Sequence, residues 1–177
     1  MKLTLHATEF AARAHAGQVR KYTGHPYIWH PINVAVKLAA YTNDQEMIAA
    51  ALLHDTVEDC DVTHDDIKSR FGPRVSQLVY ELTNVAKKED GNRAARMAID
   101  RAFMAKASPE AKTIRLADIY DNLKDITQAD PGFARIYMKE KRLMMNEALM
   151  EGDSGLYSEV QKLIDNYYLE RNTPDSG

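Results

Sequence analysis

The stretch ALLHDTVED, residues 51–59, joins an apolar run to one histidine and three acids. Apolar residues three and four apart predict a helix here, with His54 one turn before Glu58 and Asp55 one turn before Asp59. A solvated final turn is one interpretation. Acids at a carboxyl end, however, oppose the helix dipole, which favours cations there. A bound cation would compensate them, and an adjacent imidazole and carboxylate offer it two ligands.

Helical periodicity extends outward from this stretch over most of the chain. It predicts helices over residues 32–41, 44–59, 73–85, 92–107, 109–126 and 131–150. No strand alternation and no internal repeat is found, and the breaks between helices are too short to separate domains. We therefore predict an all-α fold, a single domain over residues 1–177 with roughly eight to ten helices. The last residues, TPDSG, are expected to fray.

The composition excludes several classes of protein. The chain has 177 residues, 45% of them apolar and 28% charged, as in soluble globular domains. A net charge of −3 argues against a partner of the nucleic-acid or membrane-surface type, because both need clustered Lys and Arg. With a single cysteine, an early Glu9 and no apolar run near ~18 residues, a cytoplasmic location is expected. The oligomeric state stays open.

A second polar stripe lies on the helix predicted at 109–126, which Ser108-Pro109-Glu110 begins. In RLADIYDNLKDI, polar Asp118, Asn122 and Asp125 follow helical spacing beside an apolar face of Leu116, Ile119, Leu123 and Ile126. Asp118 could simply pair with a nearby arginine, and it could equally serve the same cation. Lys112 and Arg115 on this helix are further candidates for phosphate binding.

The third polar element is QVRKYTGHPYIWHPINVA, residues 18–35. Its Gly- and Pro-rich loop delivers His30 immediately before Pro31, the expected first residue of a helix. Arg20 and Lys21 lie upstream in the same loop, where a pair of cations could position a phosphate.

Two imidazoles and two carboxylates result: His30, His54, Asp55 and Asp118. This mixed nitrogen and oxygen set suits Mn, Fe or Zn with positions left for water and substrate. Such a metal acidifies its bound water and polarises a phosphoryl oxygen. The set therefore indicates hydrolysis of a phosphate ester or anhydride.

The order H, HD, D resembles the HD-domain metal-dependent phosphohydrolases, which are all-α proteins. The stretches AHAGQVRKYTGHPYIWHPINVA, AALLHDTVED with the downstream FG, and IRLADIYDNL are more closely similar to the hydrolase domain of the RelA/SpoT enzymes and the free-standing small alarmone hydrolases. The matching blocks lie between residues 14 and 126. That family removes the 3′-pyrophosphate of guanosine tetra- and pentaphosphate, (p)ppGpp, usually with Mn²⁺, giving GDP or GTP and pyrophosphate.

The resemblance implies a role for each matching residue. His30, His54, Asp55 and Asp118 would hold the metal. Glu58 and Asp59 would orient or deprotonate the attacking water, which a carboxylate one turn beyond a ligand can reach. Arg20 would contact phosphates, and Asn122 the nucleoside.

The chain also departs from the family pattern. Asp125 replaces the Thr common in the long bifunctional enzymes, and the segment after Asp130 matches loosely, with Tyr137 and Lys141 as candidates for the far wall of the pocket. A synthetase domain does not fit within 177 residues. Two alternatives stay open: hydrolysis of another nucleotide (a dNTP, a nucleoside monophosphate or NADPH), and a non-catalytic nucleotide-binding module.

Overall fold

A computed structural model of the protein describes residues 2–172 and confirms the all-α prediction. Its helices are α1 (Lys2–Ala14), α2 (Trp29–Ala39), α3 (Gln45–Leu53), α4 (Thr56–Asp59), α5 (His64–Phe71), α6 (Pro73–Leu82), α7 (Arg93–Met104), α8 (Pro109–Ala129), α9 (Pro131–Ala148) and α10 (Ser154–Asn172), with a short 3-10 turn at Lys88–Asp90. Within this range the only β feature is an isolated bridge between Val19 and Pro26. The helix count of the described part agrees with the prediction.

Helix α8 lies at the centre of the bundle. The Ser108 hydroxyl caps its first turn by accepting from the Ala111 amide at 3.3 Å, and Pro109 follows at a position where no amide hydrogen is needed. The helix packs against α2, α6, α9 and α10. Because neighbours cover several of its sides, polar residues such as Asp118 are buried along with the apolar face. The helix ends at Ala129, three residues beyond the predicted end.

The core around α8 supports a stability prediction. The Leu116 side chain is fully buried, so Leu116→Ala should lower the free energy of unfolding by about 2–5 kcal/mol, through lost burial and the cavity left behind. Leu5→Ala is the matched control, because Leu5 is 63% exposed, and we expect a change within about 0.5 kcal/mol. Urea denaturation of the metal-free proteins measures both. Equal losses in the two variants would contradict the central position of α8.

One predicted helix, over residues 44–59, is wrong as a continuous element. The structure breaks it into α3 and α4 at His54 and Asp55. The His54 imidazole donates to the Ala51 carbonyl at 2.7 Å, and the Thr56 hydroxyl donates to the Leu53 carbonyl at 2.7 Å. These side chains bond carbonyls that a continuing helix would give to its own amides, which ends the helix. The break turns the side chains of residues 54 and 55 towards the centre of the bundle.

The connection between α5 and α6 follows its predicted signals. Thr63 accepts from the Asp66 amide at 3.1 Å, and the Asp66 carboxylate accepts from the Thr63 amide at 3.0 Å, completing a capping box. Gly72 then has a φ of +89°, which glycine adopts without steric cost, and Pro73 begins α6.

The remaining differences from prediction are at helix ends. Helix α6 ends at Leu82, three residues early, because Thr83 is extended, with φ −69° and ψ 128°. The predicted fraying of TPDSG concerns residues 173–177, which lie outside the described residues. No helix between residues 2 and 172 combines the length and apolar character needed to span a membrane.

Candidate metal centre

His54 is buried at the end of α3 with one ring nitrogen unpaired. Since a carbonyl oxygen only accepts hydrogen bonds, the bond to Ala51 places the ring proton on Nδ1. When the ring is neutral, it presents the lone pair of Nε2, which is buried and has no hydrogen-bond partner among the described residues. An unpaired buried acceptor is costly unless a cation or another donor meets it. This nitrogen lies 3.2 Å from Oδ2 of Asp55.

His30 reaches the same place from the first turn of α2. Its Nδ1 lies 2.8 Å from Oδ2 of Asp121, a buried acid on α8. Its Nε2 lies 3.2 Å from Oδ1 of Asp118 and 3.5 Å from Oδ2 of Asp55. The ring is thus held by one nitrogen while the other faces both candidate ligand carboxylates.

Asp55 occupies the N-cap position of α4 yet makes no cap hydrogen bond with its side chain. Its carboxylate turns inward, where the Tyr27 hydroxyl donates to Oδ2 at 2.7 Å. Tyr27 comes from the loop before α2, so this contact joins the loop to the break between α3 and α4. Burial and the neighbouring Asp55 charge raise the pKa of Tyr27, which keeps the hydroxyl a donor.

Asp118 is held on both oxygens by its own helix. Arg115 donates to Oδ2 at 3.0 Å, and Asn122 donates to Oδ1 at 2.6 Å. Arg115 is buried and also donates to the Leu82 carbonyl. Arg115, which the sequence suggested as a phosphate ligand, therefore orients Asp118 instead.

The separations fit a single divalent ion. Ligand atoms about 2.1 Å from one ion lie roughly 3 to 4.2 Å apart. The candidate atoms of His30, His54 and Asp55 all lie within 4.8 Å of one another. Oδ1 of Asp118 lies 3.9 Å from Nε2 of His54, in addition to its 3.2 Å contact with Nε2 of His30. The orphaned Nε2 and the nitrogen and oxygen donor set match a cation of the Mn, Fe or Zn type, so the cluster can hold a divalent metal.

Electrostatics lead to the same conclusion. Burial alone would lower the pKa of His30, but its contacts with Asp118 and Asp121 raise it to about 9. Burial would likewise raise the pKa of Asp118, but His30 and Arg115 hold it well below its usual range. The carboxylates therefore remain ionised and favour positive charge between them. A divalent cation supplies that charge and pairs with neutral imidazoles.

The acids Glu58 and Asp59 of α4 are exposed at the edge of this cluster. The Glu58 carboxylate accepts from the Asn84 amide at 2.6 Å and from its side-chain nitrogen at 2.9 Å. Gln18 donates to the Asp59 carbonyl at 2.8 Å and so ties the end of α4 to the loop. Partial burial raises the pKa of both carboxyl groups. Raised values bring them closer to the range in which a carboxylate accepts a proton from water.

Of the predicted substrate residues, Arg20 and Asn122 are bonded to each other beside Asp118, and Lys21 follows Arg20 in the loop. Arg20 donates to Asp125 at 2.8 Å and to Asn122 at 3.2 Å, so carboxylates already surround its charge. Lys21 is exposed and lies over the Tyr22 ring at 4.8 Å. Their contacts with substrate stay predictions.

Helix α9 carries Tyr137 and Lys141, the residues predicted for the far wall of the pocket, and that role stays a prediction. Burial raises the pKa of Tyr137 and lowers the pKa of Lys141, and the charge of Asp118 affects both. The Lys141 ammonium lies 4.9 Å from the centre of the Tyr137 ring. Lys112, in contrast, is buried and paired with Glu151, which occupies its charge.

Sequence reasoning missed three residues that bond side chains of the cluster or of its acids: Tyr27, Asn84 and Asp121. Tyr27 is part of the quoted HPYIWHP stretch, and Asp121 follows Asp118 by one helical turn, so both carried a local signal. Asn84 carried none, because it lies 26 positions from its partner Glu58.

Comparison with known proteins agrees with this geometry. The family model described as HD domain matches residues 7–142. The guanosine-3′,5′-bis(diphosphate) 3′-pyrophosphohydrolase of Aquifex aeolicus is 40% identical over 145 residues, which are 82% of this chain and 20% of that protein. This chain thus spans about a fifth of the length of that relative. The Homo sapiens enzyme of the same name, MESH1, is 35% identical over 170 residues, covering 94% of this chain and 93% of that one.

A solved structure described as a metazoan ortholog of SpoT that hydrolyzes ppGpp superposes with a TM-score of 0.82. It is 30% identical and covers 97% of each chain. A crystal structure of lmo0812 from Listeria monocytogenes reaches a TM-score of 0.68 at 27% identity, over 84% of this chain and 99% of that one. Sequence, fold and the buried imidazole and carboxylate cluster agree, and the chain belongs to the HD domain family, among relatives of the guanosine-3′,5′-bis(diphosphate) 3′-pyrophosphohydrolase type.

Proposed function

We propose that the protein is a divalent-metal-dependent (p)ppGpp 3′-pyrophosphohydrolase, with Mn²⁺ as its metal. The observation that carries the proposal is the cluster of buried His30, His54 and Asp118 with half-buried Asp55, which lies beside the exposed acids of α4. Relatives bearing that activity in their names align over most of the chain, which supports the choice of substrate. The proposal places the reaction in the cytoplasm and needs no partner beyond the nucleotide.

The reaction consumes one water. Its oxygen bonds to the phosphorus attached to the ribose 3′-oxygen, the bond between that phosphorus and the 3′-oxygen breaks, and the 3′-oxygen leaves with a proton. The products are pyrophosphate and GDP from ppGpp, or GTP from pppGpp. A bound divalent cation would supply Lewis-acid polarisation of the phosphoryl oxygen and acidification of water.

The residues of the chain position the reactants and handle the proton. Glu58, fixed by its two hydrogen bonds from Asn84, accepts the proton of the attacking water, and Asp59 orients that water from the next position. Their raised pKa values make both carboxylates better proton acceptors. Tyr27 and Arg115 act indirectly by holding Asp55 and Asp118.

Lysines in the loop before α2 and on α9 suit the negative charge of the substrate. Lys21 at the loop rim and Lys141 on α9 are free to approach a pyrophosphate, since they carry no carboxylate partner at ion-pair distance in the described part of the chain. Arg20 is already bonded to Asp125 and Asn122. We therefore assign it two roles: it holds the Asn122 side chain in place to contact the nucleoside, and its charge makes the electrostatic potential near the phosphates more positive.

Product analysis tests the proposal. Purified protein loaded with Mn²⁺ should convert ppGpp to GDP and pyrophosphate in equal amounts, and protein treated with a chelator should not. GDP, which lacks the 3′-pyrophosphate, is the matched substrate control and should be inert. Release of orthophosphate from ppGpp would contradict the proposal, and so would a higher kcat/KM for a dNTP, a nucleoside monophosphate or NADPH.

A further inference from the structure

Asp121 is a buried acid on α8 with two partners outside its helix. Its Oδ2 accepts from Nδ1 of His30 at 2.8 Å and lies 3.8 Å from a terminal nitrogen of Arg20. The residue is 6% exposed. Burying an isolated carboxylate would cost free energy, and these two partners explain why the Asp121 carboxylate can be buried.

The contact decides which nitrogen of His30 is free. A carboxylate only accepts hydrogen bonds, so Nδ1 keeps its proton, and when the ring is neutral, as a metal ligand must be, the lone pair lies on Nε2. This Nε2 is the atom that faces Asp55 and Asp118. If the tautomer were reversed, the ring would present a proton to the site instead of a ligand.

The two imidazoles of the cluster are held differently. His54 is fixed from within its own helix, by the Ala51 carbonyl three residues earlier. His30 lies in the first turn of α2 and depends on a side chain 91 positions away in the chain. A single side-chain substitution elsewhere can therefore remove the contact that orients His30, whereas the backbone contact of His54 would remain.

We propose that Asp121 is a positioning residue, which holds His30 in the tautomer and ring orientation that present Nε2 to a divalent cation. This inference rests on the ligand set of the proposed function. It does not depend on the substrate, because metal binding can be measured without a nucleotide.

Titration calorimetry of the metal-free protein with Mn²⁺ alone tests it. Asp121→Ala should weaken Mn²⁺ binding by about 10–100-fold, the usual cost of losing a hydrogen-bond partner of a ligand. Asp121→Asn retains an acceptor and should recover most of the affinity. Since both variants remove the negative charge, equal losses in the two would show a charge effect and overturn the positioning role.

Asp125→Ala is the matched control. It removes the same group from the same helix, one turn on, where the carboxylate bonds Arg20 and not His30. We expect it to leave Mn²⁺ affinity unchanged, and a loss as large as that of Asp121→Ala would overturn the proposal. Thermal unfolding with a chelator present identifies variants that fail to fold.

A double-mutant cycle completes the test. In a His30→Ala background, Asp121→Ala should cause no further loss of Mn²⁺ affinity, because its target is absent. If Asp121→Ala does not fold, Asp121→Leu, which fills a similar space without an acceptor, takes its place in both backgrounds. Additive losses would show that Asp121 acts elsewhere. If affinity behaves as expected while ppGpp is not hydrolysed, the positioning role stands and the proposed substrate is wrong.

Discussion

His54→Ala should lose Mn²⁺ affinity by more than the roughly 100-fold that removing an outer hydrogen-bond partner of a ligand costs, and ppGpp hydrolysis should fall to background. The reason is geometric. Nε2 of His54 is buried and makes no hydrogen bond within the described residues, yet it lies 3.2 Å from Oδ2 of Asp55 and 3.9 Å from Oδ1 of Asp118. Removing it leaves two ionised carboxylates facing a gap. Calorimetric titration with Mn²⁺ and the rate of pyrophosphate release measure the two effects.

The matched control is His6→Ala, which removes an exposed imidazole that packs on the Phe71 ring at 4.7 Å. We expect its Mn²⁺ affinity and hydrolysis rate to match those of the unmodified protein. Retention of tight Mn²⁺ binding in His54→Ala would remove His54 from the ligand set. Chelation of the unmodified protein should reproduce the loss of hydrolysis, and adding Mn²⁺ back should restore it.

Glu58→Gln should lower kcat for ppGpp by about 10²–10⁴-fold, the usual contribution of a positioned proton acceptor. Gln has nearly the same shape and keeps one of the two hydrogen bonds from Asn84, but its amide does not take a proton from water. Mn²⁺ affinity should change little, because no contact places Glu58 among the buried nitrogens. Asp59→Asn should also reduce kcat, through loss of the second acid.

Two controls match these changes in chemistry. Glu89→Gln and Asp61→Asn alter exposed acids outside the cluster and should leave kcat unchanged. If Glu58→Gln hydrolysed ppGpp at the normal rate, its role as proton acceptor would be wrong. If its Mn²⁺ affinity fell in parallel with kcat, Glu58 would instead belong to the ligand set.

Much of the fold was predictable because its signals are local. Ser108 and Pro109 mark the start of α8, and Thr63 with Asp66 marks the start of α5; each acts within four residues of chain. The break at His54 was missed, although its cause is also local. Helical periodicity continues through it, and only the side-chain bonds to the carbonyls of Ala51 and Leu53 show that the helix stops.

The candidate site divides in the same way. By itself, the sequence determined the residue types and the short spacings, such as His54 beside Asp55, and the resemblance of the three blocks indicated which residues to group. Only the tertiary structure decided which nitrogen of His30 faces the site, and that Asp121 holds this ring while Asn84 holds Glu58. Those choices depend on the rotation of each helix about its axis and on contacts 26 and 91 positions apart. Packing of the whole bundle sets them, and no local pattern encodes them.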